Sequence, residues 1–114
     1  MNIAEFLNKL IANPNNITFA ETMEVIKENY HYKPTAFTNG DLQSAAGTNE
    51  GSCKIFSFAK LHDLDEGKTL QLFGDYYRVD VLKNPQGTDH QNIRNFMKSG
   101  FAGIKFEGLA LTRK

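Results

Sequence analysis

The chain's apolar positions fall into short periodic stretches separated by polar, turn-forming clusters. Ile3, Phe6, Leu7, Leu10 and Ile11 recur at helical spacing, so Met1–Ala12 predicts an amphipathic helix with Asn2 as its cap. Asn13-Pro14-Asn15-Asn16 ends it, through a proline without a donor and asparagines that favour turns. Thr18-Phe19-Ala20-Glu21 has the form of a capping box, with Ile17 placed as the hydrophobic staple. Phe19, Met23 and Ile26 carry that helix's apolar face to about residue 29. Tyr30-His31-Tyr32-Lys33 alternates and stops at Pro34, which predicts a short extended piece. Thr38-Asn39-Gly40-Asp41 predicts a turn, because Asn and Gly both tolerate positive φ.

From Gly40 to Ser52 the chain is rich in small and polar residues, and reads as an ordered loop or a short helix near Asp41–Ala46. Cys53–Leu61 is apolar nearly all round and predicts a mostly buried helix. Asp65 caps the next helix, whose stripe of Leu70, Phe73, Tyr77 and Val81 runs through Gly74. A glycine inside a helix costs about 1 kcal/mol against alanine, so Gly74 marks a kink or a place where another backbone comes close. Asn84-Pro85-Gln86-Gly87 is a turn, and Thr88-Asp89-His90-Gln91 reads as a second capping box before Ile93, Phe96 and Met97. Gly100 closes that helix. The tail alternates through Ile104, Phe106, Leu109 and Leu111 around Glu107-Gly108, which suggests a hairpin able to pair with Tyr30–Tyr32. The expectation is a mainly α single domain over 1–114: a compact bundle of about five helices with a small C-terminal β-hairpin or short sheet, α+β being the alternative.

Composition narrows the function classes. At 114 residues the chain is long enough for one core without staples. Thirteen Lys plus Arg balance thirteen Asp plus Glu, and a neutral domain is poorly suited to nucleic acid, whose binding needs clustered positive charge. No apolar run approaches the roughly 18–20 residues of a membrane span. The amino terminus lacks the form of a secretory signal, so the cytoplasm is the expected compartment; type III secretion, whose signal has no sharp motif, is the alternative. One cysteine rules out an intramolecular disulfide.

Three sets of residues carry candidate chemistry. Cys53 follows Gly51-Ser52 at a predicted helix start, where the dipole and free amides favour a thiolate. With His62 or His90 as base and an orienting Asp or Asn (Asp89 beside His90), Cys53 would make a nucleophilic site of the hydrolase or acyl-transfer class; as a bystander it is a small core hydrophobe. The three histidines lack metal-ligand spacing, and Asp63–Gly67 fails the calcium-loop pattern, so neither metal nor cofactor is expected. The third set is polar: Thr38, Asn39, Asn49, Glu50, Ser52, Asp75, Arg78, His90, Asn92 and Arg94. Arg78 and Arg94 suit an anion, while ordinary capping and ion pairing would also account for the cluster.

These same segments resemble a known family. The runs Phe37-Thr38-Asn39-Gly40, Ala46-Gly47-Thr48-Asn49-Glu50-Gly51-Ser52-Cys53-Lys54-Ile55-Phe56, Phe73-Gly74-Asp75-Tyr76-Tyr77-Arg78 and Gly87-Thr88-Asp89-His90-Gln91-Asn92-Ile93-Arg94-Asn95-Phe96-Met97 are similar to those of HopJ-type proteins, a small bacterial family filed under type III effectors. The resemblance spans about Phe19 to Leu111. It implies a small binding or interaction protein with a protein or small-molecule partner, a host target if the protein is secreted, and it assigns no catalytic residue. Because the hallmark runs are polar and glycine-rich, Thr38–Gly40, Asn49–Ser52 and Asp89–Asn92 are expected to converge on one surface pocket.

Overall fold

The computed structural model describes residues 1–114. Helix α1 (Ile3–Ala12) and helix α2 (Phe19–Asn29) each begin with a complete capping box, Asn2 with Glu5 and Thr18 with Glu21. Both boxes satisfy first-turn amides locally, which is why these starts are legible in the sequence. Strand β1 (Tyr30–Tyr32) follows α2 directly, and β2 (Phe37–Asn39) turns through Gly40-Asp41 into β3 (Leu42–Ser44). Helix α3 (Glu50–Leu61) is the central element, with Cys53 and every residue from Ile55 to Ala59 buried. Helix α4 (Glu66–Gln71) starts on the Asp65 side chain, which accepts from the Lys68 amide.

Beyond α4 the predicted single helix divides. Gly74 takes φ +62°, and a Cβ there would lie 2.6 Å from the main-chain nitrogen of Phe19. Both features foreseen for it, a break and a close backbone, are therefore present. Tyr76–Val81 then winds as one π-helical turn, with the Leu82 amide donating to the Tyr77 carbonyl. Helix α5 (Gln91–Ser99) ends at Gly100, whose amide donates to the Phe96 carbonyl.

The architecture is mixed α+β rather than mainly α. Strands β4 (Ile104–Phe106) and β5 (Leu111–Arg113) do not pair with each other, so there is no C-terminal hairpin. β5 runs antiparallel to β1, with His31 opposite Thr112, as the alternation allowed. β4 instead joins β2 in a three-stranded sheet of order β3-β2-β4. The segment expected as a loop or short helix near Asp41–Ala46 is β3, because the Asn39–Leu42 turn folds it back onto β2. One hydrophobic core joins residues from all five α-helices and both sheets, with Phe6, Phe37, Phe56, Phe58 and Phe96 wholly enclosed. Met97, expected inside, is 46% exposed, and so is much of Ile11; each lies one step past its helix's buried stripe.

Candidate functional site

Helices α3 and α5 begin side by side at a cleft of about 380 Å³ lined by Phe19, Leu42, Asn49, Ser52, Phe73, Tyr76 and His90–Ile93. Two of the three hallmark segments expected to converge therefore do so, and the third supports them from beneath. Asn39, wholly buried on β2, donates through Nδ2 to the Asn92 carbonyl at 2.7 Å and to Asn92 Oδ1 at 3.1 Å. Thr38, its neighbour, points to the opposite side and lines a shallow groove over the sheet with Gln43 and Lys105.

The two helix starts share an unusual local geometry. Asn49 and His90, the residues before α3 and α5, are left-handed at φ 49° and 50°, and neither side chain caps its helix. The second capping box expected at Thr88–Gln91 is therefore absent. Asp89 instead accepts from Arg94 Nη2 at 2.7 Å, and Gln91 Nε2 donates to the Thr88 carbonyl. The first intrahelical acceptors serve Cys53 in α3 and Ile93 in α5, so the amides of Glu50, Gly51, Ser52, Gln91 and Asn92 have no helical partner. Left-handed backbone at non-glycine residues costs on the order of 1 kcal/mol each and tends to gather at functional sites.

Aromatic rings form the far wall. Phe19 and Tyr76 meet edge to face at 5.0 Å, and Tyr76 lies 5.1 Å from the His90 ring. A Cβ on Gly51 would sit 2.8 Å from the Phe19 Cζ, so the first turn of α3 rests directly on the rim of that ring because residue 51 has no side chain. His90 Nε2 is 3.0 Å from Asp80 Oδ2 and 3.8 Å from Asp89 Oδ2. Tyr76 and Asp80 both stand on the π-helical turn, which brings an aromatic face and a carboxylate to the same imidazole. Single π turns are often found at functional sites.

Several residues singled out by sequence lie elsewhere. Cys53 is 1% exposed; its Sγ donates to the Thr35 carbonyl at 3.5 Å, and burial pushes the thiol above its ordinary pKa. It is core packing beneath the cleft, because four residues into α3 its side chain faces inward. Glu50 is exposed on the other side of α3, where it adds to the burial that holds the Tyr32 phenol above its usual range. Asp75 is exposed and 4.0 Å from Arg78.

Neither arginine is free for an anion. Arg78 donates to the carbonyls of Pro14, Ile17 and Gln71 and to Gln71 Oε1, pinning the 3₁₀ turn Pro14–Asn16 against α4. Arg94 is 8% exposed and holds the Asn84–Asp89 loop through Asn84 O, Pro85 O, Asp89 O and Asp89 Oδ1. A guanidinium has five donors in a fixed fork, so each arginine is nearly consumed by its loop.

The cleft's Phe19, Leu42, Phe73, Tyr76 and Ile93 were not singled out, since their apolar spacing reads as core. Gly74 and the dense polar run after it were the available signal.

Comparison with known proteins bears on the family and the fold. No curated protein matches the chain. The crystal structure of unknown function protein VPA0580 is similar to it at 53% identity and a TM-score of 0.99, covering 100% of this chain and 95% of that one. The model of the HopJ type III effector protein family matches residues 3–111, and the chain belongs to that family.

Proposed function

We propose that this protein binds a small molecule in the cleft between the starts of α3 and α5, with residues 1–114 acting as one domain. The observation that supports it best is convergence: polar groups from α3 and α5, braced by β2 from below, face an aromatic wall made by α2 and the π turn. Ligand sites are commonly built this way, with apolar walls and a few placed polar groups. The ligand has one flat apolar side and one hydrogen-bonding edge. Titrating small aromatic compounds into isotope-labelled protein tests the reading. Amide shifts should gather at Asn49, Ser52, Tyr76 and His90–Ile93; shifts gathered anywhere else, or none, overturn it.

The Asp80–His90 pair favours a second reading, acid–base chemistry on a substrate in the same cleft. A carboxylate that fixes an imidazole is the usual means of making it a competent base. Hydrolysis of activated aryl esters that disappears in His90→Ala would promote this reading above simple binding. For compartment we propose the cytoplasm of the producing cell, with type III delivery to a host as the alternative supported by the family's name. No helix is long and apolar enough to cross a membrane.

A further inference from the structure

We propose that the cleft selects an oxyanion, a carboxylate or phosphoryl group, carried on a flat apolar body. This rests on the cleft being a ligand site and adds the charge class of what it takes. The argument turns on Asn92. It is 6% exposed, yet it lines the cleft, and its side-chain nitrogen donates to no protein group. Its orientation is fixed from below. The Asn92 carbonyl is an acceptor, so Asn39 must present Nδ2 to it at 2.7 Å, and the same Nδ2 then requires Asn92 to present Oδ1 at 3.1 Å. The Asn92 amino group, on a side chain otherwise enclosed, is left without a protein acceptor at the cleft.

The surroundings have the same preference. Asn92 is in the first turn of α5, and Ser52 in the first turn of α3, two helix starts whose leading amides have no helical partner. Such ends carry partial positive charge and bind anions. Ser52 Oγ and one nitrogen of His90 are also without protein partners. The nearby carboxylates do not line the cleft: Asp80 is engaged by His90 and Asp89 by Arg94. The Phe19, Phe73 and Tyr76 rings supply the face for a flat apolar body.

The test uses full-length protein with benzoate, phenyl phosphate, benzamide and inorganic phosphate as probes, followed by amide shifts and dissociation constants. Benzoate or phenyl phosphate should move the Ser52, Gln91 and Asn92 signals and bind at least about tenfold tighter than neutral benzamide, with the tighter of the two naming the head group. Inorganic phosphate should reach the same amides more weakly. Ser52→Asp puts a carboxylate at a helix start that tolerates one, so it should fold and lose anion binding by about tenfold or more, a far larger loss than benzamide shows. Ser52→Ala, which removes the hydroxyl and keeps the amides, should weaken anion binding by less than Ser52→Asp does. Benzamide binding as tightly as benzoate, or benzoate indifferent to Ser52→Asp, overturns the anion proposal while the cleft reading stands. Probes that leave the cleft signals unmoved overturn both.

Discussion

Asn39 grips Asn92 twice, through its main-chain and its side-chain oxygen, with one amino group that is itself wholly buried. This links the three-stranded sheet to the first turn of α5. Asn39→Ala removes both bonds and leaves Asn92 Oδ1 without its donor, a loss of about 1–3 kcal/mol. Urea denaturation should show the drop, and amide shifts in the variant should spread to His90 and Gln91. A variant as stable as the parent would mean that α5 is held by its apolar stripe alone.

Gly74→Ala separates two physical effects of opposite sign. Helix propensity alone favours alanine by about 1 kcal/mol. The structure requires the opposite, because φ is +62° and the added Cβ would press on the Phe19 main-chain nitrogen at 2.6 Å. Thermal and urea unfolding should show destabilisation of about 2 kcal/mol or more. A stabilised variant would show that the α4–π junction can straighten without displacing the start of α2.

Cys53 should be silent to alkylating reagents while the protein is folded. Its thiol is enclosed, and burial raises its pKa, so little thiolate exists at neutral pH. Labelling should follow global unfolding, with a rate that rises as urea is added. Rapid native-state labelling with a midpoint below the reference thiol, about 8.5, would restore Cys53 as a nucleophile.

Acid should weaken the protein through His62 before its carboxylates titrate. His62 Nε2 lies 2.5 Å from the Tyr30 hydroxyl, and burial followed by the charge of Arg113 lowers its pKa. The folded state therefore prefers neutral imidazole. The stability this supplies is complete above the unfolded pKa of about 6.5 and is lost as pH falls through the lower folded value. Asp65, held low by the Lys68 amide and ammonium, acts further down, below about pH 4. Unfolding free energies measured from pH 7.5 to 4 should decline from about 6.5. His62→Gln should flatten that first decline and leave the carboxylate limb; an unchanged profile would assign it to another group.

What the sequence disclosed was local. Asn2, Thr18 and Asp65 announce helix starts because each cap is completed within three residues. β3 was hidden because Leu42-Gln43-Ser44 has one apolar residue and becomes a strand only by lying against β2. The Thr88–Gln91 pattern misled because a distant need decided it: Arg94 takes Asp89, and His90 turns left-handed toward Asp80. The site was half legible for the same reason. Asn49, Ser52, His90 and Asn92 stand out as polar residues in helix starts, whereas Phe19 and Tyr76 serve the cleft with side chains that any core would use. Arg78 and Arg94 have the composition of an anion site but bind carbonyls that only the folded loops bring to them.

Both sheets join an early strand to a late one, Tyr30 with Arg113 and Phe37 with Phe106. On the ribosome, β1 and β2 must therefore wait for residues 104–113 to emerge before either full sheet can close. Long-range pairing of this kind slows folding. The brace from Asn39 to Asn92 depends on β2, so the cleft is among the last parts of the molecule to take shape. A nascent chain stalled short of residue 104 would display capped helices and no binding site.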